Sequence, residues 1–150
     1  MSKVNLELMD DEGIVLSYDG ELYWNDKPIN EVYLTNKNLI VVNSKGIFNV
    51  TYNVDKFPLS EIKVLKNEPQ IGFKGNPDCE CYDITICFKG KNEELAFGYE
   101  FFTKLKISIE AKKWYINLCN LVYEHNGIDK TKSVLSDFRD SISLNKIKKN

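Results

Sequence analysis

Val32-Tyr33-Leu34-Thr35-Asn36-Lys37-Asn38-Leu39-Ile40-Val41-Val42 is an apolar run that breaks at a polar corner and then resumes. Asn suits such a corner because its side chain bonds the nearby backbone and tolerates the left-handed region. The pattern therefore predicts two strands, Glu31 to Thr35 and Leu39 to Asn43, with the turn at Asn36-Lys37-Asn38. Phe57-Pro58-Leu59-Ser60-Glu61-Ile62 follows and leads into Lys63-Val64-Leu65. Leu59 to Leu65 reads as a further strand beginning beyond Pro58.

Working outward, strand signals dominate the first hundred residues. Gly13 to Tyr18 is rich in β-formers, Asp19-Gly20 is a hairpin-turn dipeptide, and Glu21 to Trp24 is a short return strand. Asn25-Asp26-Lys27-Pro28 reads as a loop, because Pro28 lacks an N–H. Ser44-Lys45-Gly46 is another turn, and Ile47 to Tyr52 another strand. Asn67 to Asp78, with two Pro and two Gly, is expected to be a long mobile loop. In Tyr82 to Phe88 the apolar residues Tyr82, Ile84, Ile86 and Phe88 alternate with Asp83, Thr85 and Cys87, the period of a half-buried strand. Gly90-Lys91-Asn92 closes a hairpin onto Glu94 to Tyr99. This makes about seven strands at short, regular spacing, the pattern of a sandwich or small barrel.

The period then changes. Ile107, Ala111, Trp114, Leu118, Leu121 and Val122 fall on one face of a helix, predicted over about 108–125. Ser108 is the expected N-cap and Asn126-Gly127 the stop. Val134, Leu135, Phe138 and Ile142 outline a short second helix in a C-terminal extension, residues 128–150, beyond a first unit at 1–127.

This order of elements resembles the pleckstrin-homology (PH)-like superfold, in its GRAM and bacterial PH-like branch. Leu34-Thr35-Asn36-Lys37-Asn38-Leu39 is similar to the Leu-Thr-Asn-x-x-Leu turn of such sequences, and Pro-Leu-Ser-Glu-Ile follows at the matching place. The resemblance spans approximately residues 12–125. It implies a mainly β fold, a partly open antiparallel barrel of about seven strands whose end is plugged by one amphipathic helix. Trp114, with Leu118 and Leu121, matches the plug. A basic residue often stands in the family where this chain has Asn38, which weakens an anion-binding role at the corner. A lipocalin-like barrel would need more strands, and an Ig-like sandwich has no place for the terminal helix.

At 150 residues the chain suits one ordinary domain and needs no disulfide or metal to fold. Its hydrophobic fraction of 43% argues against disorder. The net charge of −2 gives no overall pull toward nucleic acid or membrane. Charge is nevertheless uneven: residues 1–31 carry eight acids against Lys3 and Lys27, while residues 101–150 carry ten basic residues against five acids. Both ends are read as solvated, with head-to-tail attraction as the sharper alternative. Met1-Ser2-Lys3 is followed by acids, without an apolar targeting segment, and no apolar run approaches the roughly 20 residues a membrane span needs. A cytoplasmic chain, with membrane-peripheral attachment as a variant, is the expectation. Cys87 and Cys119 then read as reduced, core-facing thiols.

Residues that could carry chemistry each have a plainer reading. His125 ends the helix, where the dipole favours it as a cap. Cys79 and Cys81 are half a metal motif without a second pair at zinc spacing. Asp10-Asp11-Glu12 is expected to be a solvated turn, and Gly72-Phe73-Lys74-Gly75 lacks the spacing of a phosphate loop. The Tyr18-Asp19-Gly20-Glu21 turn is acidic, and Arg139 is the single arginine, so phosphoinositide and nucleic-acid binding lack their usual ligands. No catalytic, cofactor or metal residue is assigned. The leading expectation is a non-enzymatic binding or scaffolding module whose partner is another protein or copies of itself, through exposed sheet edges. Alternatives are a peripheral membrane module meeting anionic lipid through Lys104, Lys106, Lys112, Lys113 and the basic tail, and an enzyme or small-ligand carrier using the barrel cavity.

Overall fold

The computed structural model describes residues 4–76, 81–98 and 104–129. Among these, the strands are β1 (Ile14–Tyr18), β2 (Leu22–Trp24), β3 (Lys27–Ile29), β4 (Glu31–Thr35), β5 (Asn38–Lys45), β6 (Thr51–Pro58), β7 (Val64–Leu65), β8 (Glu68–Pro69), β9 (Ile71–Asn76), β10 (Cys81–Phe88) and β11 (Lys91–Phe97). A 3₁₀ turn occupies Leu59–Glu61, and one helix, α1, runs Lys104–His125. One antiparallel sheet has the order β1-β4-β5-β6 and the other β3-β2-β11-β10-β9, with β7 and β8 as a small separate pair. This mainly β architecture with a C-terminal helix is consistent with the PH-like fold the resemblance implies.

Alternation decides which side chains meet between the sheets. Val32, Leu34, Leu39 and Val41 point inward from β4 and β5, toward Leu22, Ile84, Ile86 and Phe97 of the second sheet. The helix lays Ile107, Ala111, Trp114, Leu118 and Val122 on this core, with Leu121 half-buried at its margin. Tyr115, Cys119 and Tyr123 are buried too, so the apolar stripe is broader than its sequence signal. Trp114 is fully buried, packs 6.1 Å from the Phe97 ring centroid, and donates its indole N–H to Glu110 Oε2 at 2.9 Å. The helix closes as expected. Gly127 adopts φ +61°, its N–H bonds Glu124 O and the Ile128 N–H bonds Tyr123 O, a Schellman cap.

β5 is buried on both faces, which explains its uninterrupted Leu39-Ile40-Val41-Val42 run. Ile40 and Val42 point outward, away from the core, yet are fully buried. The N-terminal strap covers them: Val4, Leu6 and Leu8 pack there with Tyr33 and Val54. Lys56 Nζ pins the strap by donating to the Glu7 carbonyl at 2.8 Å.

Several expectations are corrected. Asp19-Gly20 does not close a hairpin: β1 pairs with β4 while β2 pairs with β3 and β11, so the chain crosses between sheets there. Pro28 sits in β3, at a sheet edge, where a missing N–H is tolerated. Ile47 to Val50 form a turn, and the strand expected from Ile47 begins at Thr51. Leu59-Ser60-Glu61 is a 3₁₀ turn instead of a strand start, because Leu59 must drop into the core immediately after Pro58. Within the expected loop Asn67 to Asp78, β8 and β9 form, the latter fully paired with β10; residues 77–80 lie outside the described residues. The helix begins at Lys104, one turn before the expected 108, since Ile107 must already be helical to reach the core; Ser108 lies inside it. The second helix expected within 128–150 falls beyond residue 129, outside the described residues.

Trp114→Ala removes the largest fully buried side chain. It is expected to cost about 3–5 kcal/mol of unfolding free energy, read as a lower urea midpoint; a loss below about 1 kcal/mol would show that the helix is not held by this residue.

Candidate functional site

The polar corner is a junction of four parts of the molecule. The Thr35 hydroxyl accepts the N–H groups of Lys37 (3.0 Å) and Asn38 (2.8 Å), which fixes the turn between β4 and β5. It donates its own proton to Glu12 Oε2 at 2.5 Å. The same carboxylate accepts from Asn38 Nδ2 at 2.9 Å and, through Oε1, from the Met9 N–H at 3.1 Å. The Asn36 amide clamps the incoming chain, taking the Gly13 N–H at 2.8 Å and giving to the Asp11 carbonyl at 3.0 Å. Lys37 Nζ pairs with Asp11 at 2.8 Å, and its carbonyl accepts the Leu59 N–H that starts the 3₁₀ turn. His125 Nε2 lies 2.7 Å from the Asn36 carbonyl, which can only accept, so this nitrogen carries the proton.

Of Asp10-Asp11-Glu12, expected to be a solvated turn, Asp10 and Asp11 are indeed exposed in a turn, and Glu12 is the one to be corrected. Glu12 is only 8% exposed. Burial pushes its carboxyl up, but the hydrogen bonds from Thr35, Asn38 and Met9, with the Lys56 charge, outweigh burial and hold it below the ordinary 4.5. His125 is more than a dipole cap, because it ties the helix end to the corner. The corner has its donors and acceptors engaged within the chain, which suits a structural role.

The other sequence-designated residues are scattered. Lys113 is engaged by Glu110 at 3.0 Å, and Lys112 is half-buried on the same helix. Lys104 and Lys106 lie in the helix's first turn, and their side chains are outside the described residues, as is Cys79. Cys119 is buried, as its apolar position suggests. Cys87 is half-buried on the face opposite Ile86 and Phe88, so it does not face the core. Among the described residues, no group of three or more His, Cys, Asp or Glu is placed to hold a metal ion, and no helix is long and apolar enough to cross a membrane.

The outer face of the second sheet carries an acidic patch. Burial pushes the Asp83 carboxyl up, with Lys74 opposing and Asp26 assisting. Glu94 is raised chiefly by burial and then by Asp83 and Asp26. Two open grooves flank the sheets. One of about 400 Å³ runs beside the strap, lined by Val4, Leu6, Ile14, Tyr18, Glu31 and Tyr33. The other, about 390 Å³, lies between Phe57 and the β10–β11 turn.

The most unusual surface is the ribbon formed by the ends of β5 and β6. The last pair between β4 and β5 is Glu31 with Val42, but β5 and β6 stay paired for three more steps, to Lys45 with Thr51. The ribbon therefore projects roughly 10 Å beyond its neighbour, at about 3.4 Å per residue. Gly46, at φ +92°, turns it; a Cβ there would stand 2.5 Å from the Asn49 carbonyl oxygen. At its tip Ile47 is 88% exposed and Phe48 95%, and Val50 and Tyr52 are exposed beside them. Sequence reading placed these side chains in a strand and missed their exposure. Polar Ser44, Lys45 and Asn49 around them are the signal of a solvent-facing turn.

No family model and no curated protein matches the chain. Solved structures similar to it include a pleckstrin homology domain from Shewanella amazonensis SB2B, at 17% identity and TM-score 0.43, covering 73% of this chain and 88% of that one. A DUF1696 family protein with a pleckstrin-homology domain from Shewanella loihica PV-4 is 20% identical, with TM-score 0.43, over 77% of this chain and 94% of that one. Neither likeness bears on what this chain binds.

Because Glu12 is held low in the folded state, the stability it adds is present above its unfolded pKa and is lost as pH falls from 4.5 through the folded value. Glu12→Ala is expected to cost about 1–3 kcal/mol at neutral pH, by leaving buried donors unpaired. The gap between wild type and variant should close in acid. Urea unfolding across this range checks it; a pH-independent gap would contradict the assignment.

Proposed function

We propose that the chain is a non-enzymatic binding module of the GRAM-like, bacterial PH-like kind, working in the cytoplasm, whose partner is protein and foremost a second copy of itself. The observation that carries this reading is the projecting ribbon with Ile47 and Phe48 almost wholly in water. Covering a side chain of this size contributes roughly 1.5–3 kcal/mol, and contiguous apolar surface of this kind marks interaction sites. The ribbon is also an extension of β6, a sheet edge, so backbone groups stand beside the apolar ones. The corner, by contrast, spends its polar groups on the fold.

Light scattering on the full chain over a wide concentration range tests this. The expected result is a mass that rises with concentration toward a multiple of the monomer. A monomer at every concentration would overturn the self-association reading. Binding to anionic vesicles that disappears on adding salt would instead favour the lysine-bearing helix as a lipid contact.

A further inference from the structure

We propose that the groove between Phe57 and the β10–β11 turn binds an alkylammonium group, the lysine side chain of a protein partner, with Glu93 as its counter-charge. This site is separate from the ribbon and does not depend on self-association.

Glu93 is a charged residue in an apolar row. In β11 it alternates with Leu95 and Phe97 on the inward face, and it is only 2% exposed. A charge so far out of water needs an opposite charge and full hydrogen bonding. The fold supplies little of either. Asn25 Nδ2 lies 3.2 Å from Oε1 and 3.3 Å from Oε2, one amide nitrogen shared between two oxygens. Lys91 Nζ reaches Oε1 at 3.1 Å, from a side chain that is 71% exposed. Among the described residues, Oε2 has no donor but the shared amide. An ionised carboxylate accepts at about four positions, so this one keeps room for a further donor. Glu12, by contrast, engages three separate donors.

The groove of about 390 Å³ is lined by this carboxylate, and its walls suit a cation on an apolar stem. Phe57 and Phe88 line it too, with ring centroids 5.6 Å apart, and Trp24 backs Phe57 at 4.8 Å. Such rings draw a cation to their faces. The walls are already tied together. The Lys89 N–H donates to the Glu61 carbonyl at 2.8 Å and the Lys63 N–H to the Cys87 carbonyl at 2.8 Å, which joins the β10–β11 turn to the 3₁₀ turn beside Phe57. A preformed site lowers the cost of binding. Lys89 and Glu61 stand at the rim, exposed and opposite in charge, where solvent screens them. Glu93 therefore sets the sign inside. Lys91 shows what fits there. The chain extends its own ammonium from the rim to Glu93, and an exposed side chain of this kind changes rotamer freely. Another lysine, a compact ammonium on a flexible four-carbon stem, can take its place with its backbone left in water.

Proton–nitrogen NMR titration of the full chain with Nα-acetyl-lysine methylamide tests this, with the norleucine analogue, which lacks the ammonium, as control. The lysine probe is expected to move the amide signals of Phe57 and of residues 88–93, and the norleucine probe to leave them in place. Glu93→Gln is expected to weaken binding at least about tenfold. Lys91→Met removes the internal competitor and is expected to tighten it about fivefold or more. This variant keeps Glu93, so the test holds even if Glu93→Gln does not fold. No movement of these signals in either wild type or Lys91→Met, or equal movement with both probes, would overturn the site. Binding that Lys91→Met leaves unchanged would overturn the competition with Lys91. Spermidine binding in preference to the lysine probe would overturn the protein partner and favour a free polyamine. A chain that is monomeric at every concentration and still binds the lysine probe would leave this site standing without the self-association reading.

Discussion

Three hydrogen-bond donors converge on the buried Glu12 carboxylate, from Met9, Thr35 and Asn38, and they come from opposite sides of the first sheet's end. A charge taken out of water must be matched by donors, or it destabilises the fold by several kcal/mol. Here the match sets geometry. The turn between β4 and β5 can place Thr35 and Asn38 against one oxygen only if the strap arrives at the register that Asn36 enforces on Asp11 and Gly13. The Lys37 carbonyl then starts the 3₁₀ turn, and the Asn36 carbonyl receives His125. One polar knot thus aligns the strap, the first sheet, the link to the second sheet and the end of the helix.

Around that knot the apolar residues follow from simple alternation. The inward set of β4 and β5 meets the second sheet and the Trp114 helix, while the outward pair Ile40 and Val42 is sealed by the strap. The consequence is an asymmetric sheet. At the corner end every element is tied down. At the far end β5 and β6 run on past β4, with the Ser44 N–H still bonded to Asn30 Oδ1 at 2.7 Å, and carry Ile47 and Phe48 into water. The tightly satisfied end is suited to holding the fold, and the unsatisfied end to meeting something else.

Much of this was legible in the sequence because it depends on local pattern. The corner at Thr35 to Asn38, the alternation of β10, the turn at Gly90 and the Gly127 stop are each set by a few adjacent residues. What was not legible depends on distant partners. Asp19-Gly20 has hairpin chemistry, yet Leu22 and Trp24 are needed opposite Phe97 and Leu95, so the chain crosses between sheets instead. Gly72 and Gly75 suggested a loop, but pairing with β10 outweighs their weak strand preference. Glu12 looked like one of three solvated acids. Only the fold brings Thr35 and Asn38 to it, from more than twenty residues away. Ile47 and Phe48 have good strand chemistry, and their exposure follows from the length mismatch between β4 and β5.

Hydrogen–deuterium exchange read by NMR, amide by amide, tests most directly whether the Glu12 knot holds the strap, the β4–β5 turn and the 3₁₀ turn together. In Glu12→Ala the amides of Met9, Lys37, Asn38 and Leu59 are expected to lose protection together, while those of β10 and β11 keep theirs. Protection at these four amides that is unchanged from wild type would contradict it.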